Sequence, residues 1–205
     1  MNVGLPREVT WRGKTITTGI YKEPVAGPIP LRTLNLDGDR QADLRVHGGR
    51  DKAVYAYPSE FYALWRAERP AFGFRPGTFG ENLTTEGLLD EDVSVGDRFR
   101  IGTAELVVTQ PRLPCFKLGL RFGDPFMLKR FARAGRTGTY LRIVQEGVLE
   151  AGQPIEVSEP PGHGVTVALI AAAFHQDRRL AAKMLDAPQL PGHWRAWALD
   201  PAAPV

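Results

Sequence analysis

Apolar side chains along this chain gather in short, closely spaced runs, most of them with the alternation of a strand rather than the three-to-four spacing of a helix. Residues 19–22 and 31–34 read as short strands separated by a Pro- and Gly-rich connection at 24–30, and residues 37–43 form a carboxylate-rich turn. Residues 53–57 form an apolar strand, 78–83 a strand-like piece, 93–102 with 105–109 a hairpin, 139–144 an alternating strand and 155–157 a last strand. Only two segments before residue 160 carry helical periodicity. The first is 58–69, with Ser59 as a cap, Phe61, Leu64 and Trp65 on one face, and Pro70 as its stop. The second is 124–134, with Phe126, Leu128 and Phe131 as its apolar positions. Many short strands with so few helices predict a mainly β domain closed as a β-barrel, not a series of βαβ units.

The texture changes after Pro160-Pro161-Gly162-His163-Gly164, a linker by composition. Residues 166–174, 177–187 and 190–199 read as three short alanine- and leucine-containing helices. About forty residues bury little core alone, so this unit is expected to pack on the barrel or on a second subunit of a homodimer. The expected division is 1–160 for the barrel and 161–205 for the three-helix unit.

Composition bounds this picture. The 205 residues suit one substantial domain with a small appendage. No run reaches the length of a membrane-spanning helix, the N-terminus lacks an apolar signal core, and a single cysteine excludes an internal disulfide. A cytoplasmic location without membrane association is the expectation. The net charge is only +3, but residues 98–142 carry ten basic side chains against Glu105 and Asp124, a local +8. Such a segment suits a phosphate-bearing partner. Nucleic acid ranks last, because no aromatic-rich recognition motif accompanies the charge.

The candidate chemistry sits inside that basic segment. The strand at 105–109 runs into Pro111-Arg112-Leu113-Pro114-Cys115, a stiffened turn that presents the chain's one thiol between Arg112 and Lys117. A thiol serves as nucleophile or soft-metal ligand only as thiolate, a form that nearby cations favour; the alternative is an inert, buried cysteine. A second candidate is the loop His47-Gly48-Gly49-Arg50-Asp51-Lys52, where paired glycines allow close approach to the main chain and Arg50 and Lys52 supply positive charge. It lacks P-loop spacing and leads into a strand. Asn82 offers a neutral amide for a hydrogen bond to a ligand, or for closing its own turn. His175 and His193 read as structural.

The ordered set TGIYKEPV, GDRQADLRVHGGRDKAVYAYP, FGENL, VGDRFRIG, PRLPC and GRTGTYLRIVQEG, followed by three helices, resembles the MOSC family, named for the C-terminal domain of molybdenum cofactor sulfurases. The likeness is to its stand-alone bacterial branch with an added three-helix domain. It runs from about Thr18 to the last helix. The resemblance implies a MOSC-type barrel, similar to the β-barrel of pyruvate kinase. It also implies a molybdenum cofactor (molybdopterin), with Cys115 as the molybdenum ligand, and reduction of N-hydroxylated compounds such as hydroxylaminopurine-type base analogues to amines. In that reading Cys115, His47 and Asn82 are catalytic, and Gly48, Gly49, Arg50, Lys52, Arg112 and Arg142 bind the cofactor. No flavin or dinucleotide fingerprint is recognisable, so electrons are expected from an external reductase partner. The alternative is a sulfur or molybdenum-cofactor carrier without redox turnover of its own.

Overall fold

In the computed structural model, residues 1–44, 46–158 and 160–203 are described. The N-terminal part holds β1 (Asn2–Val3), the hairpin β2 (Arg7–Trp11) and β3 (Lys14–Thr18), then β4 (Glu23–Pro24), β5 (Ile29–Arg32) and β6 (Asn35–Leu36). A 3-10 turn at Arg50–Lys52 leads into β7 (Val54–Pro58), α1 (Ser59–Glu68) and β8 (Leu83–Thr85). The central part comprises β9 (Arg98–Ile101), β10 (Ala104–Pro111), α2 (Phe116–Phe122) and α3 (Met127–Ala134). It is followed by β11 (Thr139–Gln145), β12 (Gly147–Leu149) and β13 (Glu156–Val157). Helices α4 (Val167–His175), α5 (Ala181–Met184) and α6 (Gly192–Leu199) complete the chain.

Six strands in the order β13-β9-β10-β11-β7-β8 form one sheet that curls into a half-barrel. A three-stranded sheet, β12-β5-β6, meets it where Thr103 N–H donates to the Val148 carbonyl at 3.1 Å. The barrel-type fold expected from the sequence is thus present, as a half-barrel in a mixed α/β arrangement with six helices among the described residues. One feature departs from it: β7 and β8 pair in parallel with α1 as their crossover, a single βαβ unit. Also not expected were the β2–β3 hairpin, helix α2 and the short strands β1, β4 and β12. Residues 19–22, expected as a strand, join no ladder.

The core lies in three clusters. Leu31 and Leu36 of the three-stranded sheet join Val54, Phe99, Leu106 and Leu141 of the six-stranded sheet in the first. An aromatic cluster of Tyr57, Trp65, Phe79, Phe122 and Phe131 sits under α1, α2 and α3, with the Trp65 indole N–H donating to the Tyr57 hydroxyl at 2.7 Å. Val95, Ile170, Met184 and Trp194 form the third, beneath the C-terminal helices, which pack on the β-domain. Strand β10 shows the consequence. Its inside–outside alternation holds from Ala104 to Val107 and is lost from Val108 onward, where all four residues are buried. The face that would meet water there is covered by the helical unit, with α4 packed on β10 and α6 bonded to Gln110.

Candidate active site

Cys115 lies where β10 has ended and α2 begins. It is the N-cap of α2 in an extended conformation, and its side chain caps no backbone N–H. The thiol is therefore left to face a pocket partly open to solvent. Across the pocket stands His47, delivered by the Gly-rich loop 68 residues earlier, with Nε2 3.5 Å from Cys115 Sγ. Gly48, at φ 96°, continues the wall, and a Cβ there would approach Leu44 Cδ2 to 3.1 Å.

The electrostatics of the pocket are one-sided. Lys22, Arg40, Lys52, Arg112 and Lys117 line it, and no carboxylate does among the described lining residues. Burial, reinforced by Lys117, Arg112 and Lys52, lowers His47 to about 4, so its imidazole is neutral at physiological pH. Burial also lowers Lys52, against the opposing pull of Asp51. The Lys22 ammonium is met by Asp39 at 2.5 Å, a buried ion pair at the pocket wall.

Arg112 is the least ordinary of these groups. Its residue is only 6% exposed, its guanidinium lies over the rings of Tyr55 and Phe131, and its Nη1 is buried without a hydrogen-bond partner. No carboxylate pairs with it among the described residues. Its backbone is fixed instead: Arg112 N–H donates to the Gly138 carbonyl at 3.2 Å, and the Tyr55 hydroxyl donates to the Thr137 carbonyl at 2.7 Å. The 137–138 turn is itself gripped by Asp90, whose Oδ2 accepts from Thr137 N–H, Thr137 Oγ1 and Gly138 N–H at 2.8, 2.9 and 3.0 Å. A Cβ on Gly138 would lie 2.5 Å from the Ala56 carbonyl oxygen, so this turn admits no other residue without displacement.

Burial pushes Asp90 up to about 6 despite these three donors. A carboxyl with a folded-state value above its unfolded one contributes stability that is complete below the unfolded value and is lost as pH rises through about 6. Asp90→Asn keeps an oxygen acceptor and cannot ionise. The difference in unfolding free energy between wild type and Asp90→Asn should therefore slope with pH between about 4 and 6 and be flat at neutral pH. Denaturant titrations across that range check this, and parallel stability curves would contradict it.

The pocket brings together Cys115, His47, Gly48, Lys52, Arg112 and Asn82 from the sequence candidates, and leaves the other three outside. Arg50 and Gly49 are exposed beyond it, although Gly49, at φ 83°, still needs its glycine. Arg142 is captured by Asp51, with Nε and Nη2 2.7 and 2.5 Å from Oδ1, and fastens the 3-10 turn to β11. Asn82 lines the wall, yet its amide is spent on the fold. Oδ1 accepts from Tyr55 N–H at 3.1 Å, and Nδ2 donates to the Asn2 carbonyl and to Asp39 at 3.3 and 3.0 Å. Both amide hydrogens are engaged within the fold, the alternative offered for this residue, and only the second lone pair of Oδ1 is left for a ligand.

Lys22, Lys117, Tyr55 and Tyr140 line the pocket without having been singled out as site residues. Lys117 had a signal in its place two residues after the thiol, and Lys22 in its place within the TGIYKEPV piece. The tyrosines had none beyond strand alternation.

The profile of the MOSC domain family matches residues 43–156, more than half of the chain, from just before the His47 loop to the start of β13. The chain belongs to the MOSC domain family. It is 39% identical to the protein YflK of Bacillus subtilis (strain 168) over 96% of this chain and 90% of that one. It is 37% identical to the protein YiiM of Escherichia coli (strain K12) over 77% and 71%. A protein of Gibberella moniliformis (strain M3125 / FGSC 7600) named "Reductase" is 40% identical over 73% of this chain, which spans 27% of that protein. Among solved structures, YiiM from Geobacillus stearothermophilus superposes with a TM-score of 0.78 at 36% identity, covering 96% of this chain and 94% of that one. The matches to YflK and to the Geobacillus structure, each covering 96% of this chain, extend from the β-domain into the helical unit of this MOSC protein. Among the described residues no helix is long and apolar enough to cross a membrane.

Proposed function

We propose that this MOSC protein is a molybdenum-cofactor-dependent reductase that converts N-hydroxylated compounds, of the hydroxylaminopurine type, to amines. The observation that carries the reading is one soft ligand, Cys115, set in a pocket with five basic side chains and no lining carboxylate. Among the described residues no three His, Cys, Asp or Glu side chains are grouped to hold a metal ion. A bare metal would find too few ligands here. A metal that arrives already chelated, on an anionic carrier, needs only one thiolate and a set of cations. The orphaned Nη1 of Arg112 fits such an anion, so the residues present fit the molybdenum cofactor.

When bound, that cofactor supplies the two-electron chemistry by which R–NHOH, two electrons and two protons become R–NH2 and water. The protein's share is to bind, orient and move protons. Cys115 holds the metal as thiolate. Arg112, with Lys52 and Lys117, neutralises the anionic part of the cofactor, and Arg112 adds the planar fork that suits phosphate. His47 Nε2 stands beside the thiol, and its neutral imidazole is our candidate for relaying a proton from solvent to the departing oxygen rather than storing one. Tyr55 and Tyr140, their rings 5.4 Å apart, form an apolar wall for a planar substrate. Electrons come from a separate reductase in the cytoplasm. The fungal relative named "Reductase" supports the reaction class.

The test is turnover. Protein made in a molybdenum-replete host, with a chemical electron donor, should convert 6-hydroxylaminopurine to adenine. Molybdenum-loaded protein that leaves the substrate untouched would overturn the proposal, and sulfane sulfur on Cys115 without molybdenum would identify a carrier instead.

A further inference from the structure

We infer that Gln110 is a positioning residue, through which the C-terminal helical unit sets the Cys115 turn and the His47–Lys52 loop against each other. The inference deepens the reading above, since it takes Cys115 as the working thiol.

Strand β10 shifts register between Val108 and Gln110, leaving Thr109 as the extra residue. Bulges re-aim side chains, and here the Gln110 amide is buried between three elements. The indole N–H of Trp194 on α6 donates to Gln110 Oε1 at 2.7 Å, and His193 Nε2 lies 3.0 Å from the same oxygen. Indole nitrogen can only donate, so that atom of Gln110 must be the oxygen. His193 must then carry its proton on Nε2, and both hydrogen bonds run from α6 to Gln110. The amide nitrogen faces the other way, 3.4 Å from the carbonyl of Asp51. That carbonyl also accepts from Thr109 Oγ1 at 2.7 Å.

One buried side chain therefore touches α6, the 3-10 turn between His47 and β7, and the strand that runs on into Arg112 and Cys115. Asp51 in turn holds Arg142 of β11. The two walls of the pocket meet at Gln110, five residues before the thiol, and the helical unit is bolted to that point. This gives the helices a task beyond covering apolar surface: they fix the separation of the two loops whose side chains, Cys115 and His47, face each other.

Cys115 is the chain's sole cysteine, so its alkylation by iodoacetamide reports one site. Three variants, compared below their unfolding temperatures, decide the matter. Gln110→Met keeps the length and removes the polar links. Trp194→Phe removes the indole N–H together with part of the buried ring. Trp197→Phe, on the same helix but tilted against Phe174, edge-on to Trp194 and under the Arg178 guanidinium, makes the same truncation beside Trp194 and serves as a stability control. The first two should change the alkylation rate at fixed pH by about threefold or more and displace its pH profile, because thiol reactivity follows local charge and access. Trp197→Phe should lower stability alone. If Gln110→Met does not fold, Trp194→Phe carries the test. Wild-type alkylation profiles in the folded variants, or an equal change in Trp197→Phe, would overturn the inference. None of these results depends on molybdenum or turnover, so failure of the proposed function would appear separately, in the reductase assay.

Discussion

Cys115→Ser is expected to abolish molybdenum retention and hydroxylamine reduction while leaving the protein folded. The structure gives reasons for both halves. Cys115 occupies the N-cap of α2, and its side chain makes no capping bond. Serine is among the favoured N-cap residues, so the hydroxyl can take up a bond that the thiol leaves unmade. Stability should stay within about 0.5 kcal/mol of wild type or rise slightly. The chemical loss should be far larger. A hydroxyl is a hard, weakly acidic ligand and replaces the pocket's one soft donor. Because removing groups that merely orient a metal ligand costs about 10–100-fold, removing the ligand itself should exceed that. Metal analysis after gel filtration and the 6-hydroxylaminopurine assay read the two losses, with thermal unfolding as the check on folding. Full activity in folded Cys115→Ser would contradict the assignment.

Arg112→Met should separate stability from binding. Arg112 is buried, faces rings rather than a carboxylate, and leaves Nη1 unpartnered. Replacing a buried charge by an apolar side chain of similar length is often neutral or stabilising. The cation–π contacts that are lost work against this, so stability should be unchanged or raised by up to about 1 kcal/mol. Binding should move the other way. A hydrogen bond to a charged group contributes about 1.5–3 kcal/mol, so cofactor retention should weaken by about 10–100-fold. Arg112→Lys restores charge without the planar fork and should recover only part of the loss. Marked destabilisation of Arg112→Met with undiminished retention would mean that Arg112 is a structural cation and not a binding one.

The legible parts of this protein are those where local pattern and tertiary burial agree. Strands β7, β10 and β11 alternate or run apolar because they form the middle of the curled sheet, and helix α1 carries its apolar stripe because Phe61 and Trp65 enter the aromatic cluster. The β2–β3 hairpin escaped because most of its residues stay exposed, so no buried face imposes an alternation. Helix α2 escaped for the opposite reason. FKLGLRF is short and has a glycine at its centre, and burial of Leu118, Leu120 and Phe122 overrides that poor propensity.

Individual site residues were legible only in part. The Pro-bounded turn marked Cys115, and the glycine pair marked the His47 loop, but nothing local told that they face each other across 68 residues. Arg142 and Arg50 were drawn in by charge alone. Charge does not reveal that Asp51, 91 positions before Arg142, holds its guanidinium, or that Arg50 is exposed outside the pocket lining. Asn82 shows the same limit: an amide reads as available until its partners, Tyr55, Asn2 and Asp39, come together in three dimensions.

The central claim is that Cys115 is the protein's ligand to molybdenum, and its reactivity tests this most directly. Iodoacetamide alkylation of the sole cysteine should be measured by mass spectrometry in one preparation before and after its molybdenum is removed. The account predicts a thiol that is protected while the metal is bound and alkylated once it is gone. Equal alkylation in both states would contradict it.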